Sequence, residues 1–517
     1  MSPVSGKGFK NGAHSQFFVT GTTDPGGVTV NSTAFVSSTQ VVANINVDSA
    51  AVVSGFDVAV TNTDGASGKG SDIFSVVQGS NNSGNTCVIP ALDPKFTLVA
   101  TLNPNPAATG NLGAGVRLKK ITLGGTIAPT PVLETVVGSV STNTLEVYFL
   151  DPTAGTVLDG QVAVNGERQN HISIPLPVSA AVHEIAIGDV DGDGVPDIAF
   201  PVSGSPIGYV IRGQLDANGV LSYPGAPGSW YGLTPRASEF VPVSAGYQRG
   251  VALGKLGGSS TDIVVFGRQG GPTAPGTKGT YGGVFLFSWN GNGFSELAPI
   301  YDPDQNAGGR FGMGAIIGQI TANGSEDLLV GAPFVGKLWV FPNGSTTSGY
   351  ALSGVSGLNI GIYAGIGDVN GDGVNDLVSV TDWTGGSTLG GLAWTGLIVQ
   401  GEAPAFEFLP DPNLPDGWGT HFDLGDVNGD GIADILVSTP NASPKGCATN
   451  LGVQYVFLSQ KGSQPGYSFT RHILYPPANA GVTYGWSAGT IAGDPMNRIF
   501  VVGAKLGNQL YVYKVNQ

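Results

Sequence analysis

The chain has 517 residues and a mass of 52.5 kDa, and 83 of its residues are Gly and 34 are Pro. Hydrophobic residues make up 41% and charged residues only 11%, so the chain has enough apolar residues for a core and few strong helix formers, which indicates an all-β fold. The formal net charge of −15 would repel a phosphate backbone, which argues against nucleic acid as a partner.

Residues 1–88 are predicted to form a small β-sandwich. Strand-like stretches within 14–77 alternate with turns rich in Gly, Asp and Asn. The polar segment 78–86 marks a boundary, so we expect domains at 1–88 and 89–517. The chain contains no long uninterrupted apolar run and does not open on a basic segment followed by an apolar one. We therefore expect no membrane span, and we infer that an export signal was removed.

The larger part of the chain is repetitive. Three segments nearly coincide: GDVDGDGVPDIAF at 188–200, GDVNGDGVNDLVS at 367–379 and GDVNGDGIADILV at 425–437. A fourth segment, GQITANGSEDLLVGAP at 318–333, has the same spacing but fewer acidic residues. Weaker copies lie at 254–266, 489–502 and 123–138, so the repeat recurs about every 60 residues.

Each repeat predicts one blade of a propeller. A β-branched stretch precedes the acidic loop, a second follows it, and a third, rich in aromatic residues, comes next, as at 336–341. A four-stranded sheet cannot bury both of its faces alone, and radial stacking of such sheets solves that problem and leaves only short edges. A β-solenoid would need a much shorter period. We therefore expect a seven-bladed β-propeller preceded by the small β-sandwich.

The last repeat ends at Gln517 without a fourth strand. Segment 95–102, which lies ahead of the first repeat, is predicted to supply that strand and to close the ring in the last blade. This closure would bring Cys87 close to Cys447. The sequence leaves open whether these two cysteines form a disulfide or remain separate thiols.

Oxygen-bearing side chains recur at alternate positions in the three strong copies, which we call loop 1 (189–197), loop 2 (368–376) and loop 3 (426–434). Positions 1, 3, 5 and 9 offer side chains, and position 7 offers a backbone carbonyl. A glycine at position 6 of each loop permits the sharp turn that follows the third ligand. The candidate ligands are Asp189, Asp191, Asp193, Val195 and Asp197; Asp368, Asn370, Asp372, Val374 and Asp376; and Asp426, Asn428, Asp430, Ile432 and Asp434. Crowded carboxylates repel one another without a cation, and hard oxygen ligands without His or Cys favour Ca²⁺. We predict one structural calcium ion in each loop, hence about three sites.

The weaker copies have lost most of these acids. The ligand positions of 319–327 hold Gln319, Thr321, Asn323 and Asp327, a set with a single carboxylate that predicts weak binding or none. Arg498 takes the last position of 490–498, where we predict that its guanidinium replaces the ion by pairing with Asp494. Lys255 leads to the same prediction for 255–262.

A family resemblance follows from these residues. FGMGA at 311–315, the loop that ends at Asp327 and GAP at 331–333 resemble an FG-GAP repeat, the blade unit of integrin α-subunit propellers. The resemblance covers roughly residues 95–517 and implies a seven-bladed propeller with calcium on loops of one face, in secreted or cell-surface proteins that bind partners. Segment 38–77 is similar to immunoglobulin-like domains of the IPT/TIG type.

No catalytic pattern stands out. The histidines are His14, His171, His183, His421 and His472, and they form no recognisable Ser-His-Asp arrangement. We therefore predict a calcium-stabilised extracellular binding or adhesion module without catalysis, secreted or on the cell surface, and monomeric.

Two alternatives remain open. One is a polysaccharide-active propeller, either a lyase or a hydrolase, in which Tyr363, Arg310, His421 and Arg249 would be the residues to suspect because each precedes a repeat. The other is a passive spacer of a larger surface protein. For a protein or glycan ligand of a binding module, the candidate contact residues are Trp230, Trp383, Trp418 and Tyr484, which could equally fill space between blades.

Overall fold

The computed structural model describes most of the chain, in two compact units, Met1–Cys87 and Val88–Gln517. The described residues are 2–48, 51–52, 54–76, 88–104, 114–122, 132–140, 144–151, 154–157, 162–164, 167–169, 171–176, 182, 184–202, 207–217, 221–224, 229–236, 250–269, 281–306, 308–321, 323–353, 360–380, 391–395, 407–410, 419–442, 447, 450–461, 468–477, 483–490 and 498–516. Within these ranges the structure is all-β, without any α-helix, and has short 3-10 turns at Leu256–Gly258, Pro333–Val335 and Pro342–Gly344.

The first unit contains two antiparallel sheets of three strands each. Its strands are β1 (Ser2–Ser5), β2 (His14–Val19), β3 (Val28–Ser37), β4 (Gln40–Val47), β5 (Ser54–Thr61) and β6 (Ser67–Val76). The sheets have the orders β1-β4-β3 and β2-β5-β6. Phe17 and Phe56 of one sheet and Val41 of the other are buried in one common core, so the two sheets pack face to face.

The second unit is built from many short strands. They are β7 (Phe96–Leu102), β8 (Val116–Thr122), β9 (Val132–Val140), β10 (Thr144–Leu150), β11 (Val162–Val164), β12 (Glu167–Gln169), β13 (His171–Pro175), β14 (Ala186–Gly188), β15 (Asp197–Pro201), β16 (Gly208–Ile211), β17 (Gln214–Leu215), β18 (Leu221–Ser222), β19 (Trp230–Leu233), β20 (Val251–Gly254), β21 (Ile263–Gln269), β22 (Gly282–Trp289) and β23 (Phe294–Glu296). They continue with β24 (Ile300–Tyr301), β25 (Ala315–Gly318), β26 (Asp327–Ala332), β27 (Lys337–Phe341), β28 (Tyr350–Ser353), β29 (Ala364–Gly367), β30 (Asp376–Val380), β31 (Gly391–Thr395), β32 (Glu407–Pro410), β33 (His421–Gly425), β34 (Asp434–Thr439), β35 (Val453–Gln460), β36 (Ser468–Leu474), β37 (Tyr484–Gly489), β38 (Ile499–Ala504) and β39 (Gln509–Val515).

These strands form a series of small antiparallel sheets. We number the sheets by their strand orders: sheet 1 is β8-β9-β10-β13, sheet 2 is β14-β15-β16-β19, sheet 3 is β20-β21-β22-β23 with β24 on β22, sheet 4 is β25-β26-β27-β28, sheet 5 is β29-β30-β31-β32, sheet 6 is β33-β34-β35-β36 and sheet 7 is β37-β38-β39-β7. A smaller sheet has the order β12-β11-β18-β17, and in it β11 and β18 are parallel. The fourth strand of sheet 7 is β7, from the start of the unit, and it pairs with β39 from Phe96 opposite Val515 to Leu102 opposite Leu510.

The sheets contact one another in chain order through their first strands. Strand β8 contacts β14, β14 contacts β20, β20 contacts β25, β25 contacts β29, β29 contacts β33, β33 contacts β37, and β37 contacts β8. A cluster of buried side chains lies between each sheet and the next, and a further cluster joins sheet 7 to sheet 1. The core of the second unit is therefore distributed between sheets.

This packing explains the continuous apolar runs of the repeats. Every residue of β34 is buried. Ile435 and Val437 pack in the cluster shared with sheet 5, whereas Leu436, between them, packs in the cluster shared with sheet 7. Successive side chains of a strand point to opposite faces, so a strand whose two faces are both covered needs an apolar residue at every position.

Candidate metal centre

The three acidic loops occupy equivalent places in the fold. Loop 1 joins β14 to β15, loop 2 joins β29 to β30, and loop 3 joins β33 to β34. In each case the glycine before the loop pairs with the aspartate at position 9, as Gly188 pairs with Asp197. The loops are therefore hairpin connections between the first and second strands of sheets 2, 5 and 6.

The aspartate at position 1 organises each loop through backbone hydrogen bonds. Its two carboxylate oxygens accept from the N–H groups of positions 4 and 6. For Asp189 these distances are 2.7 and 3.0 Å, for Asp368 both are 2.7 Å, and for Asp426 they are 2.6 and 2.8 Å. The N–H of position 7 donates to the acid at position 5 at 2.8, 2.8 and 2.9 Å in loops 1, 2 and 3. The three loops thus share one conformation.

Two glycines in each loop make this conformation accessible. Gly371 and Gly373 have φ of +77° and +85°, and loops 1 and 3 have similar values at the same positions. A Cβ on Gly373 would meet no atom within 4 Å, so glycine is required there by its backbone angles and not by lack of space. The glycine at position 6 was predicted from the sequence, whereas the one at position 4 was not.

The aspartate at position 9 has a second role that the sequence analysis also missed. It is fully buried in loops 1 and 3. One oxygen of Asp434 accepts from the N–H of Val427 at 2.9 Å, and the other accepts from the N–H of Ser459, in β35, at 2.8 Å. Asp197 makes the equivalent pair of bonds, the second of them to Gly213 just beyond β16. Position 9 therefore ties the hairpin to the third strand of its sheet.

Carboxylates converge in loop 1. Asp189, Asp191 and Asp197 each place an oxygen so that these atoms lie within 4.8 Å of one another. Burial raises the pKa of Asp197 to about 7, and the charges of Asp193 and Asp189 contribute. Without a cation, the ionised form of this carboxylate is thus strongly disfavoured.

Loop 3 also contains a buried carboxylate whose charge is disfavoured by burial and by neighbouring acids. Burial raises the pKa of Asp434 to about 8, and the charges of Asp430 and Asp426 contribute. Burial also raises the pKa of Asp426. An all-oxygen donor set in a loop that penalises negative charge fits a hard divalent cation.

Loop 1 differs from the others by a neighbouring cation. The guanidinium of Arg212, which follows β16, forms an ion pair with Asp191 and lies 3.6 Å from Asp193. It also lies over the ring of Trp289, 4.8 Å from the ring centroid. Arg212 therefore neutralises part of the acidic charge of loop 1, and the sequence analysis did not identify it.

The degenerate loop 319–327 satisfies its one carboxylate with protein donors. Asp327 is fully buried and accepts from the hydroxyl of Thr321 at 2.8 Å and from the side-chain amide of Asn323 at 3.1 Å. It also accepts from the backbone N–H of Asn343 at 2.9 Å. These donors occupy the place where loops 1 to 3 have acids, in keeping with the weak binding or none expected from the sequence.

Of the other degenerate loops, 255–262 is described in full and 490–498 only at its two ends. The side chain of Lys255 is exposed, and its backbone N–H donates to Glu326. Asp262, in the same loop, accepts from the N–H of Asp189 at 2.9 Å and so links sheet 3 to loop 1. Asp494, the partner expected for Arg498, lies outside the described residues. The replacement of an ion by either cation stays a prediction.

The residues suspected of catalysis do not all come together. Tyr363 and His421 lie side by side with ring centroids 5.1 Å apart. Arg310 lies elsewhere, over the ring of Phe334 at 3.8 Å. Arg249 and His183 are outside the described residues.

Polar side chains from other first strands surround His421. Its Nε2 lies 3.6 Å from Glu184, and Glu184 accepts a hydrogen bond from Arg117 at 3.2 Å. Asp423, two residues after His421, accepts from the N–H of Thr490 at 2.8 Å. Burial opposes the charge on Arg117, but Asp423 and Glu184 outweigh it and raise the pKa of Arg117. We call Arg117, Glu184, Tyr363, His421, Asp423 and Thr490 the inner-strand cluster.

Two of the four aromatic residues suspected of ligand contact lie in the described part of the chain, and both pack against other aromatic side chains. Tyr484 is fully buried and its hydroxyl is 2.8 Å from that of Tyr513, so of the two roles left open for Tyr484 it has the space-filling one. Trp230 packs against Phe200 and Tyr209 of its own sheet and against the buried cluster between sheets 1 and 2. Trp383 and Trp418 lie outside the described residues.

Cys447 is disulfide-bonded. Cys87, the partner considered in the sequence analysis, lies outside the described residues, and the pairing of these two cysteines stays a proposal.

Comparison with known proteins supports the repeat. Residues 368–437, which include loops 2 and 3, match the model of the FG-GAP-like repeat. The chain is also weakly similar to integrin α chains. It is 26% identical to integrin alpha-PS2 of Drosophila melanogaster over 333 residues, 58% of this chain and 21% of that protein. It is 28% identical to integrin alpha-IIb of Mus musculus over 285 residues, 47% of this chain and 25% of that protein.

These matches cover a quarter or less of each integrin chain, so they concern one region of those proteins. The small antiparallel sheets of the second unit fit a propeller of FG-GAP-like repeats. The comparisons do not test the immunoglobulin-like resemblance of the first unit. Among the described residues, no helix has the length and apolar character needed to cross a membrane.

Proposed function

We propose that this chain is a calcium-stabilised extracellular binding or adhesion module that does not catalyse a reaction. The observation that carries the proposal is the conformation that loops 1 to 3 share on equivalent hairpins, with converging carboxylate oxygens in loop 1. Loops 2 and 3 lie in the part of the chain that matches the FG-GAP-like repeat. Similarity to integrin α chains supports an adhesion role and a secreted or cell-surface location.

The architecture proposed for this function is a seven-bladed β-propeller behind an immunoglobulin-like β-sandwich. The sequence of contacts between first strands, which returns from β37 to β8, supports a closed ring. Strand β7, as the fourth strand of sheet 7, supports closure within the last blade. Such a ring would present loops 1 to 3 at one edge and hold the connecting loops rigidly for a protein or glycan ligand.

In each of loops 1 to 3, the side chains of positions 1, 3, 5 and 9 would hold the ion, and the carbonyl of position 7 would complete the set. The ion supplies positive charge that balances the buried carboxylates. The chain's own contribution is the pair of left-handed glycines and the backbone hydrogen bonds that hold the acids in place.

The test is a calcium titration of the intact chain by calorimetry, with variants at position 5. Asp430→Asn keeps the acceptor for the N–H of Ile432 and removes one charge. Asn323, at the same position of the degenerate loop, already accepts from the N–H of Ser325 at 2.7 Å, so an amide is compatible with this turn. We expect Asp430→Asn to remove one site or to weaken it at least tenfold, a loss of about 1.4 kcal/mol or more.

The matched control is Asn323→Ala, which changes the same position in a loop expected not to bind. It should leave the calcium isotherm unchanged. Binding of no calcium by the native chain at about 10 mM, well above the roughly 0.1 to 1 mM dissociation constants of extracellular calcium modules, would remove the proposed role of the ion.

A further inference from the structure

The inner-strand cluster joins first strands that are far apart in the chain. Arg117 lies on β8 of sheet 1, Glu184 just precedes β14 of sheet 2, Tyr363 directly precedes β29 of sheet 5, and His421 and Asp423 lie on β33 of sheet 6. The contact between Glu184 and His421 links sheets 2 and 6, which are not consecutive in the series of neighbouring sheets. Thr490 directly follows β37 of sheet 7. The cluster therefore gathers polar side chains on or beside the first strands of five sheets at one place.

The cluster contains buried polar atoms that the protein leaves unsatisfied. The side chain of His421 is only 2% exposed, yet in the described part of the chain neither of its ring nitrogens has a hydrogen-bond partner. The hydroxyl of Thr490 is also buried without a partner there. Buried polar groups in native proteins are almost always paired, so these atoms indicate a molecule that the protein binds at this place.

The cluster is not sealed from solvent. The side chain of Arg117 is 28% exposed, and Asp423 is half-buried. Glu184 and His421, at 4% and 2%, lie deeper. A small ligand would therefore meet Arg117 and Asp423 first and reach His421 at the bottom, beside the ring of Tyr363.

Charge and geometry narrow the class of ligand. Two carboxylates disfavour an anion. The guanidinium of Arg117 disfavours a divalent cation, and Glu184, His421 and Asp423 are not among the described side chains whose ligand atoms converge closely enough to share a metal ion. A neutral ligand with many hydroxyls suits the site best, because hydroxyls both donate to carboxylates and accept from guanidinium and imidazole N–H groups.

We propose that the inner-strand cluster binds a single neutral sugar unit. The carboxylates of Glu184 and Asp423 accept from its hydroxyls, Arg117 and His421 donate to it, and the ring of Tyr363 covers one face. The inference rests on the proposed binding function and names a ligand class for it.

The experiment is a titration of the intact, calcium-loaded chain with the methyl glycosides of glucose, galactose, mannose and fucose. The titration extends to about 50 mM, since single sugars bind with dissociation constants in the millimolar range. Selective nitrogen-15 labelling of the histidines gives an imidazole signal for each, and the signal that His421→Gln removes is assigned to His421. We expect one of these glycosides to shift that signal in a saturable manner and to leave the signal of His14, in the first unit, unchanged.

Variants separate binding from structure. Arg117→Lys keeps the charge and Asp423→Asn keeps the shape, and each should weaken binding at least tenfold in a chain whose circular dichroism matches that of the native protein. His14→Gln, at an exposed position of β2, is the matched control and should bind as the native chain does. If His421→Gln does not fold, Arg117→Lys and Asp423→Asn still test the proposal through calorimetry with the same glycosides.

Three outcomes would overturn the inference. They are no response of His421 to any of the four glycosides, equal shifts of all histidine signals, and release of methanol from a bound glycoside, which would mean a reaction instead of binding. Calcium titration of the same samples separates the two proposals. If calcium still binds to loops 1 to 3 and no glycoside binds, the inner-strand cluster is a structural network and only the present inference is lost.

Discussion

The buried aspartates at position 9 make the stability of the metal-free protein depend on pH in an unusual direction. Most paired carboxylates stabilise a protein as pH rises, because the folded state lowers their pKa. Asp197 and Asp434 behave in the opposite way, since burial raises their pKa to about 7 and about 8. The metal-free folded state therefore binds more protons than the unfolded state near neutral pH. The stability that these two groups contribute is fully present below pH 4 and is lost as pH rises towards 8.

The size of the effect follows from the pKa values. One pKa unit corresponds to about 1.4 kcal/mol. Between pH 5 and pH 8, Asp434 should lower the free energy of unfolding by about 4 kcal/mol and Asp197 by about 3 kcal/mol, relative to an ordinary Asp in the unfolded chain. Bound calcium holds both carboxylates in the ionised form, so the loss should disappear when the loops are loaded.

Differential scanning calorimetry of the intact chain measures this effect. Metal-free protein at pH 5 and pH 8 is compared with protein in about 10 mM calcium, a concentration that saturates sites of this type. We expect the midpoint of the larger unit to fall between pH 5 and pH 8 without calcium and to change much less with it. Asp434→Asn removes the larger titrating group and should halve the fall. A metal-free midpoint that rises or stays level over this range would refute the reasoning.

Three further predictions concern single positions. Arg212→Gln should tighten calcium binding to loop 1 by about tenfold, because a competing cation is removed from its acids, and calorimetric titration would detect this change. Gly331→Ala should lower the free energy of unfolding by more than about 3 kcal/mol, since its Cβ would lie 1.7 Å from the carbonyl oxygen of Gly361. The control is Gly293→Ala, because a Cβ there would meet no atom within 4 Å, and it should change the free energy of unfolding by less than about 0.5 kcal/mol. Denaturant titrations measure both changes. Reduction of the disulfide of Cys447 should lower the thermal midpoint, and peptide mapping without reductant should recover Cys447 joined to another cysteine peptide.

The sequence predicted the features that depend on residues close to one another in the chain. The acids at alternate positions, the glycine at position 6 and the apolar runs on either side repeat within a short window, and the hydrogen bonds of loops 1 to 3 follow that register. The all-β fold was predicted from composition, since turn-forming residues are frequent and strong helix formers are few along the whole chain.

Features that depend on distant segments could not be predicted in this way. Arg212 acts on loop 1 because β16 ends beside that loop, and Arg117 reaches Glu184 across 67 residues of sequence. The sequence left open whether Tyr484 contacts a ligand or fills space, because an aromatic side chain in a turn-rich region has no sequence signal for burial. Its contact with Tyr513 exists only once β37 and β39 share a sheet.

The degenerate loop 319–327 distinguishes the two roles of the aspartate at position 9, which are to bind a metal ion and to join the hairpin to the third strand. If the terminal aspartate served only as a metal ligand, a loop without the other acids would have no use for it. Asp327 is nevertheless fully buried, and its oxygens accept from the N–H of Ile320 and from that of Asn343, as Asp434 accepts from Val427 and Ser459. The carboxylate is therefore needed to join the hairpin to the third strand. A metal ion in loops 1 to 3 balances a charge that the sheet requires for its own hydrogen bonds, and in 319–327 the hydroxyl and amide of positions 3 and 5 take over that balance.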